Sequence, residues 1–233
     1  MKPIYGVYFI CCINNYLDVV KEQLLSLNKG LLSITSKIII FITNYDEKKC
    51  VELDKLLDDC EKFVLVKSRE NLFEKYAINN YKNYINDDEY YLYYFHTKGL
   101  KNENDPHISI FSSRRQILNY YTLEMYNVNI ELLENYDAIG CSLSLYPKKH
   151  FSGNFWWSKS SYLNLLQDIN DKYLSPEMYV LSNEYCKFVS LANDTNQILI
   201  DNYIFRDSNS ITKNITTDFI VIEEHKNLMF MCE

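Results

Sequence analysis

The first hundred residues alternate between continuous apolar runs and segments whose apolar residues recur at helical spacing. Ile4 to Ile13, Lys37 to Thr43 and Phe63 to Val66 are rich in β-branched and aromatic residues, which is typical of strands buried on both faces. Tyr16 to Leu27 and Asp46 to Cys60 lie between these runs and have the pattern of amphipathic helices. This regular alternation predicts an α/β fold with a mostly parallel central sheet flanked by helices.

A third predicted helix, Glu70 to Ile85, leads into the most aromatic strand of the chain, Tyr90 to Phe95. His96, Thr97 and Lys98 follow that strand directly. Ligands of open α/β sheets bind beyond the carboxyl ends of the strands, so we predict that these three residues face the ligand crevice and that Lys98 contacts a phosphate. The alternative is an ordinary turn with Lys98 in water.

The loops after the first three strands open on the same side of such a sheet, which brings Asn14 and Asn15 into the same crevice. These two residues are candidates for contacts with a nucleotide, and an Asx turn that leads into the first helix is the alternative. The sequence has neither a GxGxxG turn nor a GxxxxGK[ST] loop, which weakens dinucleotide-binding and P-loop interpretations.

The second half of the chain is less regular, but no linker separates it from the first. We therefore predict a single domain over residues 1–233, with a nucleotide-binding donor half to about residue 100 and an acceptor half from about residue 101. Its predicted elements are helices Ile108 to Tyr126, Tyr162 to Ile169 and Met178 to Leu191, and strands Asp137 to Leu145 and Asp218 to Glu223.

Composition narrows the function classes. The 233 residues are 47% hydrophobic, enough for a substantial core, and the formal net charge of -7 provides no basic surface for nucleic acid. Seven cysteines without a CxxC pair suggest neither a disulfide framework nor a zinc site. No run is long enough for a transmembrane segment, so we expect a cytoplasmic protein that is soluble or peripheral to a membrane.

A second polar and aromatic segment, HFSGNFWW, extends from His150 to Trp157. Aromatic faces beside small polar groups suit sugar rings, so His150, Trp156 and Trp157 are candidates for binding a sugar acceptor. The alternative is that the indoles fill the core. Because adjacent strand residues point to opposite faces, we expect one tryptophan inward and at most one at a ligand.

Several segments occur in an order that resembles small GT-A-type glycosyltransferases of bacteria and large DNA viruses. They are YYFHTKG, SRRQILNYYTLEMYN, NYDAIGCSL, HFSGNFWWSKSSYL and YLSPEMYVL, and they span roughly Tyr90 to Leu181. The resemblance implies transfer of a sugar from a nucleoside-diphosphate sugar, with UDP the favoured nucleotide, to a hydroxyl of a glycan acceptor. The donor-binding residues that it implies are His96, Thr97, Lys98, Arg114, Gly153 and Asn154, together with Asn14 and Asn15.

Many GT-A enzymes hold Mn²⁺ or Mg²⁺ with a DxD pair, and this sequence contains no DxD. His96 stands roughly where DxD is expected and is a weak metal candidate. Metal binding is therefore expected to be weak, differently ligated or replaced by Lys98. Arg114 and Arg115 are reserve cations, of which at least one is expected to be solvated or salt-bridged.

The acceptor hydroxyl must lose a proton as it attacks, and Glu177 in the SPE segment is our candidate for the general base. One base with direct attack would invert the anomeric configuration. Glu184, Asp194 and Asp201 are competing carboxylates. Two other interpretations stay open: a non-catalytic sugar- or nucleotide-binding protein on the same fold, and a Rossmann-like methyltransferase, which the absent glycine-rich loop disfavours.

Overall fold

A computed structural model describes residues 2–102, 105–170 and 175–192, and the backbone of residues 220–222. The strands are β1 Ile4–Cys11, β2 Lys37–Thr43, β3 Phe63–Lys67, β4 Tyr91–His96, β5 Ala138–Gly140, β6 Leu143–Ser144, β7 His150–Phe151, β8 Trp156–Lys159, β9 Phe188–Ser190 and β10 Ile220–Ile222. The α-helices are α1 Tyr16–Leu27, α2 Leu31–Ile34, α3 Val51–Leu57, α4 Phe73–Asn80, α5 Ile108–Asn119, α6 Tyr126–Leu132, α7 Ser160–Leu163 and α8 Ser175–Met178. A 3₁₀ turn, Tyr81–Tyr84, follows α4, and a π-helical turn, Tyr120–Glu124, joins α5 to α6.

Eight strands form the main sheet, in the order β10-β9-β5-β8-β4-β1-β2-β3. The pairs β4–β1, β1–β2, β2–β3 and β5–β9 are parallel, whereas β8 runs antiparallel to both of its neighbours and β10 runs antiparallel to β9. The predicted α/β fold with a mostly parallel sheet flanked by helices is therefore confirmed. Strands β6 and β7 form a separate hairpin.

The sheet has an apolar layer on each face, because the side chains of its central strands alternate between the two. On β4, Tyr91, Tyr93 and Phe95 enter one cluster, and Leu92 and Tyr94 enter the other. Every residue of β4 is buried. Helices cover both faces of the sheet, so side chains on either face of a central strand are buried, and this explains the continuous apolar runs in the sequence. Full burial of each large apolar side chain contributes about 1.5–3 kcal/mol.

Helix α1 has the predicted bounds. Helices α3, α4 and α5 lie within the other segments predicted as helices up to residue 126, and each is shorter than its predicted segment. Three predictions in the second half are wrong. The strand predicted from Asp137 to Leu145 is divided into β5 and β6, which belong to different sheets. Helix α7 ends at Leu163 instead of Ile169, and the segment predicted as a helix from Met178 to Leu191 contains strand β9. Phe188 and Val189 pair with β5 and β10, so sheet pairing outweighs the apolar spacing that suggested a helix.

The late strand predicted at Asp218 to Glu223 is present as β10. No helix in the described ranges is both long and apolar enough to cross a membrane. The parallel strands β1, β2, β3 and β4 end at one edge of the sheet, and the polar residues that follow them come together there.

Candidate active site

Thr97 holds the ends of β1 and β4 together. Its backbone N–H donates to the carbonyl of Phe9 (3.0 Å), and its Oγ1 accepts from the backbone N–H of Cys11 (3.1 Å). The side chain is buried. Thr97 therefore fixes the position from which the next residue, Lys98, extends.

The structure brings Lys98 and Glu177 together across 79 positions of the chain. Lys98 Nζ donates to Glu177 Oε1 over 3.3 Å, and the two side chains are 30% and 23% exposed. The residue predicted as the phosphate-binding cation and the residue predicted as the base thus form one charged pair. Partial exposure leaves both accessible to a ligand.

His96 pairs with Glu74, a residue that the sequence analysis did not single out. His96 Nδ1 lies 2.7 Å from Glu74 Oε1, and the His96 side chain is only 5% exposed. Glu74 Oε2 also accepts hydrogen bonds from Tyr94 Oη (3.0 Å) and Asn154 Nδ2 (2.7 Å). In the sequence, Glu74 is one of two acidic residues of the third predicted helix, with Glu70, and nothing in the pattern distinguishes it.

Burial alone would raise the pKa of the Glu74 carboxyl, because desolvation disfavours a charge. The electrostatic interaction with His96, the hydrogen bonds from His96 and Asn154, and the more distant ammonium of Lys98 outweigh that effect and lower the pKa of Glu74 below its usual value. Glu74 is therefore a carboxylate at neutral pH, and His96 Nδ1 carries the proton of their hydrogen bond.

The turn from Ser152 to Asn154 brings the GNFWW segment to this cluster. Gly153 has φ +103°, and a Cβ there would lie 2.7 Å from Leu118 Cδ1, so a side chain would be strained. Asn154 donates to Glu74 through Nδ2 and accepts from Trp156 Nε1 (2.9 Å) through Oδ1. Its amide is thus held by the protein on both sides.

The two adjacent arginines behave differently. Arg115 is buried, donates two hydrogen bonds to the Glu22 carboxylate and one to the carbonyl of Lys98 (3.0 Å). This confirms that at least one arginine is salt-bridged, and it ties the loop after β4 to α1. Arg114 donates to Ser152 Oγ, and its Nε is buried without a hydrogen-bond partner in the described part of the chain.

The predicted acceptor-binding residues, His150, Trp156 and Trp157, are all buried. The expectation that only one tryptophan points inward is wrong, because both faces of β8 are covered: Trp156 stacks on Tyr94 on one face, and Trp157 packs on Tyr93 on the other. Neither ring offers a free face for a sugar. His150 lies with Nδ1 2.8 Å from the Lys148 carbonyl.

Asn14 and Asn15 follow β1 at the same edge of the sheet. Asn14 has φ +51° and lines a cavity of about 830 Å³, and Asn15 Oδ1 accepts from the backbone N–H of Lys101 (3.0 Å). The cavity lies beyond the ends of β1, β2 and β3. Its lining residues are Cys12, Ile13, Asn14, Tyr16, Asn44, Tyr45, Asp46, Glu47, Lys48, Lys49, Cys50 and Arg69.

The described side chains at this edge do not form a cluster of ligands suited to a divalent metal. The sequence has no DxD, and the described residues contain no group of three or more His, Cys, Asp or Glu side chains that could hold a metal ion. His96 is engaged with Glu74 and is flanked in sequence by the cation Lys98. Among the competing carboxylates, Glu184 is exposed in a turn, and Asp194 and Asp201 lie outside the described residues.

Comparison with solved structures gave distant likenesses. A mannosyltransferase from Pyrobaculum calidifontis, in complex with GDP-Man and Mn²⁺, has 8% identity and a TM-score of 0.44, over 76% of this chain and 50% of the mannosyltransferase. HddC from Yersinia pseudotuberculosis has 15% identity and a TM-score of 0.48, over 87% of this chain and 97% of HddC. A proposed nucleotide-diphospho-sugar transferase from Desulfovibrio desulfuricans G20 has 12% identity and a TM-score of 0.49, over 92% of this chain and 90% of the other.

These TM-scores lie below 0.5 and carry no argument about this chain, which spans only half the length of the mannosyltransferase. No curated protein matches the sequence. One family model, described as a domain of unknown function (DUF8361), matches residues 10–199. That match covers most of the 233 residues, and the chain therefore belongs to the DUF8361 family.

Proposed function

We propose that this protein is a glycosyltransferase that moves a sugar from a nucleoside-diphosphate sugar, with UDP as the nucleotide, to a hydroxyl of a glycan acceptor. The observation that carries the proposal is the Lys98–Glu177 pair at the carboxyl end of β4, beside strand β1, whose end lines the 830 Å³ cavity. A cation and a carboxylate within 3.3 Å of each other supply the two charges that glycosyl transfer requires. The resemblance of the HTKG and GNFWW segments to GT-A-type glycosyltransferases supports the same assignment.

In the proposed complex the nucleoside occupies the cavity, and the diphosphate extends toward Lys98. Asn14 lines the cavity and Asn15 bonds to the loop after β4, so these residues connect the two parts of the donor site. The first hundred residues supply this donor half, and Glu177 comes from the acceptor half.

Glu177 is the proposed general base. As the acceptor oxygen bonds to the anomeric carbon, Glu177 takes the hydroxyl proton, and the bond from that carbon to the diphosphate breaks with its electron pair on the leaving group. Direct attack of this kind inverts the anomeric configuration. Lys98 stabilises the charge that develops on the diphosphate, and the described side chains provide no metal site for that task.

The test begins with a donor screen: UDP, GDP, CMP and their sugars, each with Mn²⁺ and with EDTA, followed by an assay for release of the nucleotide in the presence of glycan acceptors. Glu177→Gln should bind the donor as the wild type does and lose turnover by at least about a hundredfold. The matched control is Glu184→Gln, because Glu184 is an exposed acidic residue of the same region. Equal turnover in Glu177→Gln and wild type would remove Glu177 as the base. A protein that binds the donor but shows no turnover with any acceptor would be a binding protein.

A further inference from the structure

Glu74 accepts hydrogen bonds from two elements that meet at the candidate site. His96 and Tyr94 reach it from the end of β4, and Asn154 reaches it from the turn before β8. A largely buried carboxylate is costly unless it is fully hydrogen-bonded, and three bonds satisfy most of its acceptor positions. Such a group fixes the orientation of each side chain bonded to it.

The hydrogen bond to Glu74 uses Nδ1 of His96 and leaves Nε2 available for another group. His96 Nε2 is buried and has no hydrogen-bond partner among the described residues. Buried polar atoms nearly always have a partner, so Nε2 is suited to a group that the protein does not itself supply. A rotation of the His96 ring that exchanged the positions of Nδ1 and Nε2 would break the charge-assisted hydrogen bond to Glu74. Glu74 therefore fixes the orientation of the ring.

A second nitrogen of this kind lies on the other side of the Ser152–Asn154 turn. Arg114 bonds to Ser152, and its Nε is buried and also unpartnered within the described ranges. Ser152, at the start of the turn, bonds to Arg114, and Asn154, at its end, bonds to Glu74, which in turn bonds to His96. Arg114 and His96 each carry one of the unpartnered nitrogens.

The surrounding charges indicate which ligand chemistry these nitrogens suit. Lys98 follows His96 by two residues, and Arg114 is cationic at any physiological pH. The nearby carboxylates, Glu74 and Glu177, are already paired with His96 and Lys98. The ammonium of Lys98 and the guanidinium of Arg114 suit the anionic oxygens of a phosphate, with which they can form charge-assisted hydrogen bonds.

We propose that Glu74 is a positioning residue that holds the His96 ring so that, with a proton on each ring nitrogen in the complex, Nδ1–H donates to Glu74 and Nε2–H donates a hydrogen bond to a diphosphate oxygen of the donor, beside Lys98. The inference rests on the proposed function and deepens it, because it assigns to side chains the charge neutralisation for which many GT-A enzymes use a metal. No covalent step is involved, and Glu74 itself does not touch the ligand.

The test measures calorimetric binding of UDP, inorganic pyrophosphate and uridine in EDTA. Glu74→Gln should weaken the affinity for UDP and pyrophosphate about tenfold, the loss expected for a misplaced charge-assisted hydrogen bond, and leave uridine within about twofold. The control is Glu134→Gln, which alters a carboxylate that accepts a bond from Tyr91 at the far end of β4. It should change none of the three affinities.

His96→Asn and His96→Gln separate the two ring nitrogens. Asn can still donate to Glu74 from about the position of Nδ1 but has no counterpart of Nε2, whereas the amide of Gln reaches the position of Nε2. His96→Asn should lose affinity for UDP and pyrophosphate about tenfold, and His96→Gln should recover part of it. If Glu74→Gln does not fold, this pair decides the question.

Wild-type protein that binds UDP, with folded Glu74→Gln and His96→Asn binding UDP and pyrophosphate equally well, would overturn the inference and leave the proposed function standing. Equal losses of uridine and UDP affinity would also overturn it, since they would indicate a general distortion of the site. Wild-type protein that binds neither UDP nor pyrophosphate would overturn the proposed function and the inference together.

Discussion

At the scale of single residues, the Lys98–Glu177 pair is the feature on which the proposed donor chemistry depends. Both side chains are partly exposed, and exposed ion pairs contribute about 0–1 kcal/mol to folding. The pair is therefore better explained by what it does to a ligand than by stability. Replacing either residue should change binding or turnover much more than the melting temperature.

Lys98→Met tests the cation directly, because Met keeps most of the aliphatic stem and removes the charge. We expect UDP affinity to fall at least about tenfold through loss of a charge-assisted contact, with a melting temperature within about 2 °C of the wild type. Lys21→Met is the matched control, since Lys21 forms an exposed ion pair with Glu52 on α1 and α3. Isothermal titration and thermal unfolding check both variants, and an unchanged UDP affinity in Lys98→Met would exclude Lys98 from the donor site.

Glu74 should make stability depend on pH. Its pKa is lower in the folded protein than its usual value, so it stabilises the native state above the pKa of the unfolded chain, about 4.5, and loses that contribution as pH falls through the lower folded value. Glu74→Gln lacks this carboxyl. The difference in unfolding free energy between wild type and Glu74→Gln, measured with urea, should shrink as pH falls from 6 to 3; a difference that grows would contradict the lowered pKa.

The residues of the candidate site differ in how readily they can be predicted from the sequence. Lys98 and Glu177 could be predicted because one ends a recognisable strand and the other lies in a segment that resembles a known family element. Glu74 could not, because its role arises from a contact between α4 and β4, 22 positions away at His96, that no local pattern encodes. The burial of Trp156 and Trp157 was equally hidden, since the sequence does not tell which faces of β8 are covered.

At the scale of elements, Arg115 joins three parts of the site. It lies on α5, pairs with Glu22 on α1 and holds the Lys98 carbonyl after β4. A buried charge that loses its partner is strongly unfavourable. Arg115 is therefore one of the side chains that hold the loop that carries Lys98, together with Thr97 and Asn15.

Arg115→Met should lower the free energy of unfolding by about 2–4 kcal/mol, because Glu22 then keeps its hydrogen bond from Asn119 but lacks its cationic partner. Adding Glu22→Gln should restore part of the loss. Arg69→Met is the control, with an expected change within about 0.5 kcal/mol, because the Arg69–Glu47 pair is exposed. Urea denaturation measures all four proteins, and equal stability of Arg115→Met and Arg69→Met would show that the buried pair does not support the loop.

The strands of the first half were predictable because helices cover both faces and leave long apolar runs in the sequence. The short elements of the second half were not. Strand β9 has only three residues, and its pairing with β5 and β10 depends on residues about 30 to 50 positions away. Apolar runs this short are compatible with either a strand or a helix turn.

At the scale of the whole molecule, the sheet brings the two halves of the chain to one edge. Lys98 follows β4 in the first half and Glu177 belongs to α8 in the second, and neither half contains both charges of the pair. The division of labour between a donor half and an acceptor half stays a prediction. The central claim of the proposed function is that this edge of the sheet binds a nucleoside diphosphate without help from a metal.

The most direct test of that claim is a thermal-shift titration of the wild-type protein with UDP, in EDTA and in Mn²⁺, with Lys98→Met in parallel. A ligand at a hundred times its dissociation constant stabilises the native state by about 2.7 kcal/mol, which corresponds to a rise of about 5–10 °C for a chain of this size. We predict that rise for the wild type in EDTA as well as in Mn²⁺, and a rise of about half that size or less for Lys98→Met. A rise that requires Mn²⁺, or that is the same in Lys98→Met, would contradict the claim, and no rise with UDP, GDP or CMP would refute donor binding itself.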